Sequence, residues 1–264
     1  IKIGRRIEKT SERKERMKEE YQDQIEGRNS VIELLESGRD VNKILVARGE
    51  KHGSIHKIIT MARERKIVVT EIERSKLNRI AQTPNHQGVI AIVPPFAYCE
   101  VDDILELANA KNEMPFLLIL DGIEDPHNLG SIIRTAETAG VHGIIIPKRR
   151  AAQVNSTVSK VSAGAVEYMK IARVNNINET IRYLKQKGIW ICGTDMDTDI
   201  IYTKQDYRIP IAIVIGSEGF GMSRLVKENC DFIVKIPMKG QINSLNASVS
   251  AGIIIYEVLK KRGF

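Results

Sequence analysis

Cysteine is scarce. The chain has three, Cys99, Cys192 and Cys230, far apart and with no Cys-x-x-Cys pair. That argues against a disulfide framework and a cysteine-based zinc site, and suits a reducing cytoplasm. No apolar run approaches the roughly 20 residues of a membrane span. No signal-peptide pattern is read at the front, and the chain begins at Ile1 rather than Met, so its true start is expected to be missing or processed. Internal repeats are absent too. What the chain does have is charge. Among 264 residues, 40 Lys and Arg face 33 Asp and Glu, a net charge of +7. A basic excess of this size suits an acidic partner, nucleic acid first. The length predicts about two domains.

The charge is uneven. Residues 1–25 carry eight basic and six acidic side chains with almost no apolar periodicity, which predicts a flexible charged tail or a lone solvated helix. Residues 26–95, twelve basic against eight acidic, read as a small α/β unit. Its signals are a capping box Ser30–Glu33, a strand Val41–Ala47, a helix from a Ser54 cap through Arg65, a strand Ile67–Ile72, a helix Ser75–Ala81, a break at Pro84 and a strand Gly88–Val93. Residues 96–115, one basic against five acidic, read as a linker with one short helix, Val101–Ala108. From Phe116 onward strand and helix alternate. Continuous Ile, Leu and Val runs at Phe116–Leu120, Gly143–Ile146, Ile189–Cys192, Ile211–Ile215 and Phe232–Ile236 predict a mostly parallel sheet covered on both faces. Helices are expected near Leu129–Ala139, Asn178–Gln186, Ser223–Asn229 and Ala247–Lys261.

Three post-strand loops are rich in glycine and small polar residues, and ligands of open α/β sheets bind at such loops. The first runs from Asp121 to Ala136. Asn128 sits where a helix N-cap belongs, and Arg134 lies on the second turn, where a surface salt bridge is the plainer reading. The second is Gly216-Ser217-Glu218-Gly219-Phe220-Gly221. It is neither the Gly-x-Gly-x-x-Gly of dinucleotide sites nor a Walker A loop, so nicotinamide and nucleoside triphosphate chemistry lose ground. The third carries Ser244, Leu245, Asn246 and Ala247; Asn246 or Ser244 is placed to cap the helix that follows. No His/Asp partner near Ser244 supports a hydrolase triad. Asp195, Asp197 and Asp199 open like a calcium loop, but Ile200 stands where that loop needs Gly and Asp206 where it needs Glu, so no metal site is read.

In this order and spacing the three loops resemble the motifs of the SpoU/TrmH family of SPOUT-class RNA ribose methyltransferases. The resemblance covers Phe116–Phe264 and reaches the small unit through Glu26–Val31 and His86–Val89. The layout is similar to the bacterial subgroup that methylates a guanosine in large-subunit ribosomal RNA. It implies an α/β sheet with a deep trefoil knot, S-adenosylmethionine as cofactor, and a homodimer with sites beside the interface. By position, the resemblance assigns catalytic roles to Asn128, Arg134, Glu218, Ser244 and Asn246. It places the cofactor at Gly193, Thr194, Gly216, Ser217, Gly219, Ile236, Met238, Leu245 and Ala247. The family reading makes Arg134 a base. A guanidinium with a pKa of about 12.5–13.8 is better suited to holding a phosphate or a developing oxyanion. The small unit is expected to bind RNA phosphates through Lys43, Arg48, Lys51, Arg63, Arg65, Arg74 and Arg79, with His86 as a loop contact. A transfer RNA methyltransferase and a non-catalytic RNA-binding factor are the alternatives. On this division of labour, deleting residues 1–95 leaves cofactor affinity intact and weakens RNA binding with a shallower salt dependence. Unchanged RNA affinity in the truncated chain would refute it.

Overall fold

The computed structural model describes residues 23–50, 53–83, 85–242 and 244–263; the tail through residue 22, Lys51 and Pro84 lie outside them. The chain divides into two compact units. One is formed by residues up to Phe96 with Val154–Glu167, the other by Ala97–Gln153 with Tyr168–Phe264.

The first unit is a four-stranded mixed sheet of β1 (Gln24–Glu26), β2 (Lys43–Ala47), β3 (Val69–Ile72) and β4 (Val89–Ile92), ordered β1-β4-β2-β3. Strand periodicity sorts its core. Ile44 and Val46 of β2 pack with Val31 and Leu34 of α1 (Arg28–Glu36) and Ile55 and Ile58 of α2 (Ser54–Glu64). Leu45 and Ala47 face the other way, onto Leu77 and Ile80 of α3 (Arg74–Ile80). Strand β1 starts inside the stretch expected as tail, pairing antiparallel with β4. Its Glu26 is fully buried, and the carboxylate accepts from Thr83 N at 3.0 Å and Gln24 Nε2 at 2.6 Å. The helix starts also differ from expectation. Helix α1 begins at Arg28 after Gly27, so Ser30 is a buried interior residue rather than a cap, and α2 begins at Ser54 after Gly53.

Val154–Glu167 corrects the expected boundaries, which put that segment inside a continuous domain 116–264. Its helix α6 (Ser156–Val161), capped by Asn155, buries Val158, while Ser156 Oγ donates to Gln82 Oε1 at 2.6 Å and Lys160 Nζ to the Asn85 carbonyl at 2.9 Å. Arg39 closes the segment by an ion pair with Glu167 at 3.1 Å. A cut at residue 95 therefore removes the sheet on which α6 packs.

The second unit is a six-stranded, wholly parallel sheet of β5 (Phe116–Asp121), β6 (Gly143–Pro147), β7 (Ile171–Val174), β8 (Trp190–Thr194), β9 (Ile211–Gly216) and β10 (Phe232–Val234), ordered β10-β8-β9-β5-β6-β7. Helices α5 (Pro126–Thr138) and α9 (Ala247–Lys261) contact each other, and α9 also packs on β9. Ile104 of α4 (Val101–Ala110), Ile181 and Leu184 of α7 (Ile177–Gln186) and Val226 of α8 (Arg224–Asn229) fill a core with Leu117, Ile119, Ala212 and Val214 of the sheet. The acidic stretch 96–115 is thus not a linker: α4 carries a fully buried Ile104 and Ala108, and Cys99 bridges in parallel to Ala172 beside β7. Strand β7 was not expected, because its only run, Ile171–Val174, is interrupted by Arg173.

Two buried histidines serve the fold as neutral acceptors. His86 Nδ1 accepts from Gly88 N at 3.2 Å while Nε2 meets Asn78 Oδ1 at 2.8 Å. His142 Nδ1 accepts from Phe116 N at 3.1 Å, and Nε2 meets Glu113 at 3.0 Å. Burial, above all, lowers both rings below the ordinary 6.5. The unfolded chain then binds more protons below about pH 6.5, so stability falls as the medium is acidified through that range. Urea midpoints are expected to drop between about pH 7.5 and 5.5, and His86→Gln with His142→Gln is expected to flatten the dependence. An equally steep dependence in the double variant would contradict this.

Candidate functional site

Parallel strands deliver their following loops to one edge of the sheet, and a crevice opens where neighbouring strands connect in opposite directions. That point lies between β5 and β9. From β5 the chain passes through α5 to β6; from β9 it passes through α8 to β10 on the other side. Two contacts fix the loops there. Asp121 at the end of β5 accepts from Ser223 N at 2.7 Å. Ser217 and Gly221 exchange backbone hydrogen bonds at 3.0 and 2.9 Å, closing a loop with Glu218, Gly219 and Phe220 at its tip. A Cβ on Gly216 would lie 2.2 Å from the Gly221 carbonyl carbon, so the loop can fold back only on a glycine.

Three of the five expected side chains meet at this crevice. Asn128 Nδ2 donates to Glu218 Oε1 at 3.0 Å, Asn246 Nδ2 donates to Asn128 Oδ1 at 2.9 Å, and Asn246 Nδ2 also donates to Glu218 Oε1. The Ala247 N–H adds a bond to the same carboxylate oxygen at 3.3 Å. Asn246 caps α9: its Oδ1 accepts from Ser248 N at 2.9 Å, Ser248 Oγ at 2.6 Å and Val249 N at 3.2 Å. Its hydrogen-bonding capacity is therefore spent within the protein. Asn128, expected as a cap, is instead in the first turn of α5, buried; the cap is Asp125, which accepts from His127 N at 3.0 Å. The other two expected residues stand apart. Ser244 is exposed on a neighbouring wall, with no hydrogen bond to the three. Arg134 is exposed on α5 and lines neither cavity described here.

Beside the cluster is a cleft of about 290 Å³. Of the residues assigned to the cofactor, Thr194, Gly216, Ser217, Gly219, Ile236, Met238, Leu245 and Ala247 line it and Gly193 does not. A Cβ there would lie 2.8 Å from Met222 Cε and 2.9 Å from Cys230 Sγ, so its smallness serves internal packing. Asp195, Met196, Ile215, Val234 and Ser250 also line the cleft and were missed. Asp195 is the first residue of the failed calcium loop, and its carboxylate is 3.3 Å from Lys227. Thiol chemistry has no footing here. Burial raises all three cysteine thiols, Cys230 to about 12, far from the thiolate that nucleophilic work requires. Among the described residues no group of His, Cys, Asp and Glu clusters to hold a metal ion, and no helix is long and apolar enough to cross a membrane.

Among the described basic residues expected to bind RNA, several are engaged within the protein, and Lys51 lies outside the described residues. Arg65 is consumed by the Leu35, Gly38 and Arg39 carbonyls at 2.7–2.9 Å, Arg74 pairs with Glu50 at 2.8 Å, and His86 is buried as described, which corrects its reading as a loop contact. Lys43 is half-buried at the start of β2. Arg48, Arg63 and Arg79 are exposed, but Arg63 on α2 and Arg79 on α3 belong to helices on opposite faces of the sheet.

Two family models match the chain. The SpoU rRNA Methylase family covers residues 115–256, and RNA 2'-O ribose methyltransferase substrate binding covers residues 24–99. The TrmH family protein YacO of Bacillus subtilis, whose name places it among tRNA/rRNA methyltransferases, is 48% identical over 240 residues, 91% of this chain and 96% of that one. Among solved structures, the SpoU methyltransferase AviRb from Streptomyces viridochromogenes in complex with the cofactor AdoMet aligns with a TM-score of 0.77 and 26% identity, over 90% of each chain. An AdoMet-bound rRNA methyltransferase from Sinorhizobium meliloti aligns with a TM-score of 0.76 and 25% identity, over 90% of this chain and 87% of that one.

Asn246 has two separable jobs, capping α9 and tying Glu218 to Asn128. Serine can cap but cannot bridge. Asn246→Ser is expected to keep near wild-type stability while methyl transfer falls at least about 100-fold, whereas Asn246→Ala also loses about 1 kcal/mol of stability. Urea unfolding beside a turnover assay checks the split; full activity in Asn246→Ser would contradict it.

Proposed function

We propose that this chain, which belongs to the SpoU rRNA methylase family, methylates the ribose 2′-hydroxyl of a guanosine in large-subunit ribosomal RNA. The family acts on RNA ribose and uses S-adenosylmethionine. The observation that carries the reading is the hydrogen-bonded Asn128–Glu218–Asn246 cluster at the wall of the 290 Å³ cleft. A pure RNA-binding protein has no need of this constellation.

The cleft suits the cofactor. Its Ile215, Val234, Ile236 and Leu245 side chains would cover the faces of an adenine, and Asp195, Thr194 and Ser217 would meet polar groups. When bound, S-adenosylmethionine supplies an electrophilic methyl group. The protein's own task is to bring a weak nucleophile to it in the right orientation. Only Oε1 of Glu218 is engaged by protein donors among the described residues, which leaves Oε2 to accept from an incoming ribose hydroxyl. Asn128 retains one amide hydrogen to orient the same ribose. Asn246 has no capacity left and holds the other two in place.

Arg134 fits a composite site. It is exposed, has no side-chain partner among the described residues, and lies away from its own chain's cleft. Next to α5, helix α9 exposes Val249 and Tyr256, seven residues apart on one face. We read that face as the seat of a second copy, whose cleft Arg134 serves by holding a substrate phosphate or a developing oxyanion. The trefoil knot belongs to the same reading, as does a cytoplasmic setting.

Large-subunit ribosomal RNA and transfer RNA are each incubated with the protein and methyl-labelled cofactor. Label on a ribose of ribosomal RNA alone is expected; label on transfer RNA alone would transfer the assignment to the other substrate. Mixing Arg134→Ala and Asn246→Ser chains, each inactive by itself, is expected to restore up to about a quarter of the activity. No recovery would refute the composite site.

A further inference from the structure

A second depression, about 760 Å³, lies against the same Ser217–Gly221 loop. It opens over the carboxyl ends of β5, β6 and β7, and Phe220, Arg149, Arg150 and Asn175 stand on its walls. Phe220 is 96% exposed at the tip of a loop that is locked at its base by two backbone hydrogen bonds. An aromatic ring held this way can accept a flat partner at little cost in ordering. Arg149 and Arg150 lie just beyond β6, after Lys148, are exposed, and have no hydrogen-bonded or ion-paired partner among the described residues. Arg150 also adopts a φ of 55°, a left-handed conformation that a non-glycine residue takes at a cost. Four carboxylates, Asp121, Glu124, Asp125 and Glu218, line the same depression; Asp121, Asp125 and Glu218 are held by neutral N–H donors, and Arg149 and Arg150 are its two cations.

We infer that this depression receives the methyl-accepting nucleotide of single-stranded RNA, with its base stacked on Phe220 and flanking phosphates on Arg149 and Arg150. The inference rests on the RNA methyl transfer proposed above. Ser217, Glu218, Gly219, Phe220 and Gly221 line both cavities and Asn128 lines this one, so a ribose entering from the depression reaches the cluster beside the cleft. RNA bases become readable when they are splayed from the strand and stacked on aromatic side chains, and stacking tolerates any base. The arginines supply the charge complement for the backbone.

Because Phe220 is exposed, its replacement leaves the fold intact. In single-turnover methylation of large-subunit ribosomal RNA, Phe220→Ala is expected to raise the RNA KM about tenfold or more, and Phe220→Trp to restore it. Arg149→Ala with Arg150→Ala is expected to raise KM and to flatten the log–log salt slope by about 1.4. Cofactor Kd, by calorimetry, is expected to stay at the wild-type value in the arginine variant, whose residues do not line the cleft; Phe220 lines both cavities, so its variants are read on the RNA KM. A wild-type RNA KM in Phe220→Ala, or a loss of cofactor affinity in place of RNA affinity, would overturn the inference. If the wild-type protein methylates no ribosomal RNA, the proposed function fails; filter binding of the same RNA to the same variants then decides this inference separately, with equal affinities counting against it.

Discussion

One carboxylate oxygen holds the loops at the crevice together. Glu218 Oε1 gathers the side-chain amides of Asn128 and Asn246 and the backbone N–H of Ala247. With Glu218 on the loop after β9, those donors come from two other segments far apart in sequence: the first turn of α5 and the start of the last helix. Hydrogen bonds to an ionised group are about twice as strong as neutral ones, and here they tie three pieces of chain together. The cleft and the depression share the loop that carries Glu218. Anything that moves this oxygen therefore moves the boundary between the two cavities.

The cluster depends in turn on backbone economy. Gly216 lets the β9 loop fold back within 2.3 Å of where a side chain would sit, and Asp121 ties the start of α8 to the end of β5. Asn246 caps α9 with one end of its amide and bridges with the other. One side chain thus serves local helix stability and site geometry, through different hydrogen bonds from the two ends of its amide.

Much of this was legible beforehand, for identifiable reasons. Nearly continuous apolar runs marked β5, β6, β8 and β9, and α9 spans Ala247–Lys261 as expected, because Asn246 and Lys261 bound a single apolar stripe. Pattern failed where the determining contact is distant in sequence. Nothing local in Val154–Glu167 shows that it packs with the first unit, since its partners are Gln82, Asn85 and Arg39. The acidic composition of 96–115 hid Ile104, one buried side chain that anchors α4 in the core. Basic residues were read as RNA ligands by charge alone, although Arg65 spends its guanidinium on three carbonyls. The resemblance brought Asn128, Glu218 and Asn246 to one site, but it could not show that Arg134 stands away from them. Phe220 was passed over as one letter in a glycine loop, and Lys148-Arg149-Arg150 carried no weight until β6 placed it at the crevice.

The central claim is that Glu218 acts on the ribose as an ionised carboxylate and not as a packing element. Glu218→Gln keeps size and shape while removing the charge. Single-turnover methyl transfer to large-subunit ribosomal RNA, measured beside cofactor affinity, tests this most directly. The account predicts a loss of at least about 100-fold in rate with cofactor Kd unchanged; a rate within a few-fold of wild type would contradict it.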